Sequence, residues 1–177
     1  MTAANVEIVS GSLEDLGAIS EIYGHYVRTS AISFDLEVPS EDWRREWFST
    51  FGISGRYRLL VARDDGRTVA YTASAPYRPR AAYAPTVETS VYVAPSHVRE
   101  GLGSALYETL LSELEREDVH RAYAGIGMPN PASVRLHERF GFRRAGYYTE
   151  QGRKFGRYWD VAWYERSFPE VASATSG

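Results

Sequence analysis

The feature that most constrains this chain lies at residues 88–103, where a single stretch changes its apolar period from two to four. Glu88-Thr-Ser-Val-Tyr-Val-Ala-Pro alternates as a β-strand does, with Glu88, Ser90 and Tyr92 on one face and Thr89, Val91 and Val93 on the other. After a short polar loop, Gly101-Leu102-Gly103 leads at once into a helix predicted over residues 102–114, marked by Leu102, Leu106, Leu110 and Leu114. A strand that feeds a helix through a glycine turn leaves backbone N–H groups uncommitted at the positive end of a helix dipole. Such a place suits a phosphate or pyrophosphate. Glu88 adds a carboxylate beside that cradle, and the pair points to a transferase using a phosphorylated cofactor.

The remaining pattern builds a fold around this unit. A strand at residues 6–9 precedes a helix opened by Ser12, with Asp15 as the acidic partner of a capping box, and ending near Arg28. A loop over residues 29–39 holds an isolated Phe34, and a second helix is expected over residues 40–51 with Ser40 as its cap. Strands at 57–62 and 69–74 flank Asp64-Asp65-Gly66, a hairpin signal. The helix from Gly101 joins strands at 86–94 and 121–126, which are expected to be parallel neighbours. Asn130-Pro131 opens the last helix and Gly141 stops it. Two aromatic-rich strands, 142–149 and 158–166, meet around a connection at 152–156. The order predicts an α+β fold with a mixed, mostly antiparallel central sheet flanked by helices. One domain is expected over residues 1–168, followed by a small polar tail at 169–177 expected to be disordered.

Composition removes several function classes. The 177 residues are 44% hydrophobic and 24% charged, ordinary for a globular domain with a substantial core. A net charge of -3 without any Lys/Arg block argues against nucleic acid or an anionic membrane as partner. No apolar run approaches the roughly 18 residues of a membrane span, and the first residues lack the pattern of a signal peptide. With no cysteine there is no disulfide, thiolate metal site or cysteine nucleophile, and the absence suits a cytoplasmic protein. The four histidines, His25, His97, His120 and His137, show no metal-ligand spacing, so no metal is expected.

Several segments, taken in order, resemble the GNAT superfamily of acetyl-CoA-dependent N-acetyltransferases, and within it the phosphinothricin N-acetyltransferase family. They are Glu88-Thr-Ser-Val-Tyr-Val-Ala-Pro, Gly101-Leu-Gly-Ser-Ala-Leu-Tyr, Ser133-Val-Arg-Leu-His-Glu-Arg-Phe-Gly-Phe and Gly152-Arg-Lys-Phe-Gly. Thr29-Ser30 with Phe34, and Pro76-Tyr-Arg-Pro-Arg-Ala-Ala-Tyr83, fit as well. The resemblance runs from about Val6 to Phe168. It departs at Val98, where the superfamily loop usually has Gln or Arg, and at Gly24-His25-Tyr26 and Tyr158, where the family has Asn-His-Tyr and Trp.

The resemblance implies the GNAT acyl-CoA N-acyltransferase fold, acetyl-CoA as the acetyl donor, a small-molecule amine acceptor and a homodimer. It implies that the backbone of Val91, Tyr92 and Val93 pairs with the pantetheine arm. The loop and turn Arg99, Glu100, Gly101, Leu102, Gly103 and Ser104 would hold the pyrophosphate, and Asn130 would contact pantetheine as well as cap its helix. Glu88 is the expected general base, against the alternative of a solvated strand glutamate. Tyr107 is the expected acid for the leaving thiolate, against core packing beside Leu106, Leu110 and Leu111. Arg80 is the candidate anchor for an acceptor carboxylate or phosphinate, with Phe34, Arg78, Tyr83 and His137 completing the pocket. For His137 a buried structural role is the rival. The implied acceptor is a small acidic amino-acid analogue of the phosphinothricin or methionine sulfone/sulfoximine type. The alternatives are another amine, such as a peptide N-terminus or an antibiotic amine, or an acyl-CoA-binding sensor without turnover.

Overall fold

A computed structural model describes residues 6–169. Its strands are β1 (Val6–Ser10), β2 (Arg58–Asp64), β3 (Arg67–Pro76), β4 (Thr86–Val93), β5 (Arg121–Gly127), β6 (Arg143–Lys154) and β7 (Arg157–Ser167). Its helices are α1 (Leu16–Thr29), α2 (Glu41–Phe48), α3 (Leu102–Leu114) and α4 (Pro131–Arg139). The strands form one sheet in the order β1-β2-β3-β4-β5-β7-β6. Only β4 and β5 run parallel, as the α3 crossover between them requires.

Period-two alternation sorts the side chains of the sheet into two cores. Leu60, Ala62, Ala70, Val87, Ala122 and Ala124 face α3, whose Leu106, Leu110, Leu111 and Leu114 are all buried against them. Leu59, Val61, Tyr71 and Ala73 face the other way, onto Leu16, Ile19 and Ile22 of α1. Each fully buried leucine contributes about 1.5–3 kcal/mol as an upper value, so the α3 seam alone is a substantial share of the fold's stability. Ser12 donates its backbone N–H to Asp15 Oδ2 at 2.7 Å, as the spacing of these two residues predicted.

Two boundaries differ most from the sequence reading. Helix α2 ends at Phe48 rather than at 51, because Thr50 and Phe51 bond three residues back, to Trp47 and Phe48, and tighten out of the α-helix. Strand β6 continues through Gly152 to Lys154, leaving only Phe155 and Gly156 as the turn. The strand is hidden in sequence because its register shifts between Tyr148 and Gly152, where Glu150 has φ 53 and gives its N–H to Asp160 Oδ1. The disordered tail expected after Phe168 lies, from residue 170 on, outside the described residues.

One irregularity positions everything that follows. β4 and β5 pair only at Thr86↔Arg121, Val87↔Ala122 and Glu88↔Tyr123. Beyond Glu88 the two strands part, and β5 continues its pairing with β7 alone. The middle of the sheet is therefore split at the C-terminal half of β4.

Candidate active site

The split exposes backbone. Ala94 gives its N–H to Val69 O on the β3 side, so by strand alternation the peptide groups of Val91 and Val93 turn toward the gap. The Val93 carbonyl there accepts the Tyr26 hydroxyl at 2.6 Å. A cavity of about 920 Å³ opens from this point, walled by Val91, Tyr92 and Val93 on one side and by Asn130 and Ser133 at the start of α4 on the other. It ends at Arg99, Gly101, Leu102, Gly103 and Ser104. Arg99 and Gly101 stand at φ 78 and φ 82, which turns the loop sharply into α3. No side chain caps that helix: Ser104 and Ala105 return their N–H groups to Gly101 O, while Leu102 and Gly103 carry theirs uncommitted among the described residues. A long ligand with an extendable amide arm and a pyrophosphate fits this shape and chemistry.

Of the residues assigned to cofactor binding, Glu100 alone does not line this cavity; it is an exposed residue of the loop. Asn130 both lines the cavity and caps α4, its Oδ1 accepting the Ser133 N–H at 3.1 Å. Sequence reasoning missed His25, Arg135 and Arg139 on this wall, the two arginines adding cationic groups. The two arginines are four apart on α4, so a helical projection with Asn130 as the start carries the signal.

Glu88 faces the opposite side of β4 from α3. It lines a second cavity of about 380 Å³ together with Tyr23, Phe34, Asp35, Tyr92 and Trp163. Tyr92 and Ile32 belong to both cavities, so the two meet at the split. Burial raises the Glu88 pKa above the ordinary carboxylate value, and the positive charge of Arg78 works against it. Phe34 is drawn into this site because Gly152 leaves room for its ring: a Cβ at Gly152 would lie 2.9 Å from it. Arg78 lies over Tyr77, which stacks on Tyr123, and its charge is felt at Glu88. Arg80 and Tyr83 sit on the exposed segment between β3 and β4, and neither lines the cavity. The charged groups on the described wall are instead the carboxylates of Glu88 and Asp35. Asp35 went unnoticed in sequence because nothing local distinguishes it; Tyr23, twelve residues earlier, orients it through a 2.7 Å hydroxyl bond to Oδ2.

Tyr107 and His137 form a buried pair. The Tyr107 hydroxyl lies 2.8 Å from His137 Nε2 and 3.2 Å from Thr89 Oγ1, and His137 Nδ1 is 2.7 Å from the Ser133 carbonyl. A carbonyl only accepts, so Nδ1 carries a proton, and burial lowers the His137 pKa, which keeps the ring neutral and leaves Nε2 to accept from Tyr107. Burial raises the Tyr107 pKa and keeps the phenol protonated. His137 is 3% exposed and packs between Tyr107, Phe142 and Tyr164. It stands on the α3 side of the sheet, across from Glu88, and so does not line the cavity around Glu88, where the sequence reading expected the acceptor pocket. Among the described residues no group of three or more His, Asp or Glu side chains is placed to hold a metal ion. No helix among them is long and apolar enough to cross a membrane.

Residues 21–142 match the acetyltransferase (GNAT) family. The phosphinothricin N-acetyltransferase of Streptomyces coelicolor is 53% identical over 165 residues, which cover 92% of this chain and 96% of that protein. The L-methionine sulfoximine/L-methionine sulfone acetyltransferase of Salmonella typhimurium is 35% identical over 159 residues, 90% of this chain and 92% of that protein. A putative acetyltransferase from Salmonella typhimurium, solved with its cofactor acetyl-CoA, superposes with a TM-score of 0.89 at 33% identity, over 98% of this chain and all of that one (100%).

Proposed function

This chain belongs to the GNAT family of acetyltransferases, and from that premise we propose that it moves acetyl from acetyl-CoA to the α-amine of a small acidic amino-acid analogue. The acceptor class is of the phosphinothricin or methionine sulfone/sulfoximine type, which the relatives' own activities supply. The observation that carries the reading is the meeting of the two cavities at Tyr92 and Ile32, with Glu88 on the acceptor side and the β4 backbone on the donor side.

In the proposed reaction the free amide donors of Leu102 and Gly103 hold the pyrophosphate, and the Val91 and Val93 peptide groups pair with the pantetheine arm. Glu88 takes a proton from the acceptor ammonium, directly or through one water. The freed amine forms the new C–N bond to the thioester carbon as the C–S bond breaks, and the nitrogen gives up its second proton to water so that a neutral amide results. Tyr107 is the proposed proton donor to the thiolate; its hydroxyl lines neither cavity and bonds His137, so Tyr107→Phe with kcat measured separates that role from core packing. Transfer is direct, since the sequence has no cysteine to carry an acyl-enzyme. The reading extends to a cytoplasmic homodimer. Its support is the cysteine-free composition and the edge strand β6, along which Tyr147 and Tyr148 are exposed.

One observation favours a second reading, a GNAT enzyme for another amine such as a peptide N-terminus or an antibiotic amine. The described acceptor wall carries two carboxylates, whereas Arg80 stands outside it. A thiol-release assay with acetyl-CoA separates the two. Turnover of phosphinothricin or methionine sulfone above that of basic amines is the expected result. Release of thiol only with basic amines or peptides would overturn the acidic acceptor.

A further inference from the structure

We propose that Lys154 is a positioning residue for the acceptor: it holds the wall of the acceptor cavity through the Ser33 carbonyl and so sets how the amine is presented to Glu88. This rests on the acceptor cavity assigned above.

The wall in question is the stretch of residues 31–35, which has no regular secondary structure to hold it. It supplies Phe34 and Asp35 to the cavity. From the α1 side, Tyr23 fixes it with hydroxyl contacts of 2.6 Å to Ser33 Oγ and 2.7 Å to Asp35 Oδ2. From the other side, the Lys154 ammonium reaches across 121 residues of sequence to donate to Ser33 O at 2.6 Å. Lys154 is 4% exposed and, among the described residues, has no carboxylate within ion-pairing distance. An ammonium is costly to bury for a single carbonyl, and burial lowers its pKa accordingly.

The surroundings are shaped to receive this clamp. A Cβ on Gly127 would lie 2.4 Å from the Ala31 carbonyl oxygen, so the absence of a side chain there lets the loop seat on β5. The turn at Phe155-Gly156 sends Phe155 outward, 56% exposed, and leaves Lys154 pointing in. Removing the ammonium strands a buried carbonyl, and that penalty is met most easily by the loop moving to water.

Lys154→Met tests the assignment with two readouts. Hydrogen exchange at the Asp35 amide, which donates to Ser33 Oγ at 3.2 Å, is expected to accelerate about tenfold, reflecting about 1.4 kcal/mol of lost restraint. The acceptor KM is expected to rise about tenfold while kcat stays within about twofold and acetyl-CoA affinity is unchanged. Unchanged exchange, an unchanged acceptor KM, or an equal loss of acetyl-CoA affinity would each overturn the proposal. Should Lys154→Met not fold, Lys154→Leu, which also lacks a donor, takes its place in both measurements. The exchange readout needs no acceptor, and KM is read with whichever amine the wild type turns over. Failure of the phosphinothricin-type substrates therefore leaves this test standing.

Discussion

Glu88, the proposed general base, takes its character from what covers it. The residue sits on the α1 face of β4 among Tyr23, Tyr92 and Trp163, and burial raises its carboxyl pKa. A base of this kind is deprotonated only above the ordinary glutamate range, so the acid limb of kcat/KM is expected to fall above pH 4.5. Glu88→Gln should lower kcat by roughly 10²–10⁴-fold while acetyl-CoA still binds; full activity in that variant would remove Glu88 from the chemistry. Asp15 shows the opposite balance. Burial pushes its pKa up, but the Arg63 guanidinium, the Thr68 hydroxyl and Ser12 outweigh it and hold it at about 2. The folded pKa lies below the unfolded one, so this contribution is complete above about pH 4 and disappears as pH falls through about 2. Asp15→Asn should cost roughly 2 kcal/mol in urea unfolding at pH 7, with the gap to wild type closing toward pH 2. The pairing of Ser12 with Asp15 is legible because it spans three residues. Arg63 and Thr68 are not, because only the β2–β3 hairpin brings them to Asp15.

Elements were legible where the period was unbroken. The leucines of α3, the alternation of β4 and the turn at Asp65-Gly66 each carry one local signal, and each element stands where that signal puts it. Strand β6 is the counterexample. Its shift around Glu150 breaks the alternation, and its closing turn places Phe155, a bulky aromatic, at φ 52. This is the first position of a mirror-image turn that Asn or Gly occupies with less strain. Phe155→Asn is therefore expected to stabilise the hairpin by about 1 kcal/mol, raising Tm by about 2–4 °C in a thermal melt. A lower Tm would mean that the Phe155 ring, 5.3 Å from the Lys154 ammonium, contributes more by contact than its backbone costs.

At the scale of the molecule, the proposed donor side of the site was readable and the proposed acceptor side was not. Val91 to Ser104 is one continuous strand–turn–helix, so neighbours in sequence remain neighbours at the cavity. The acceptor wall draws on α1, the loop after it, β4, β5 and β7, and its Asp35 is visible only once these are assembled. The edge of the sheet raises a separate question. β6 leaves Tyr147 and Tyr148 exposed at 43% and 55%, and if a second copy covers them, sedimentation should give twice the 19.9 kDa of one chain. Tyr148→Asp would then return the monomer mass, while a monomeric wild type would rule the dimer out. The split itself bears on the order of events. The proposed donor and acceptor cavities meet at β4 and share a short wall at Tyr92 and Ile32. Neither ligand has to leave for the other to enter, so under the proposed direct transfer both are bound when the amine meets the thioester. Initial-rate plots against one substrate at several fixed levels of the other should give lines that intersect, as a ternary complex requires. Parallel lines would mean that acetyl rests on the protein between half-reactions, and would replace direct attack with a covalent step.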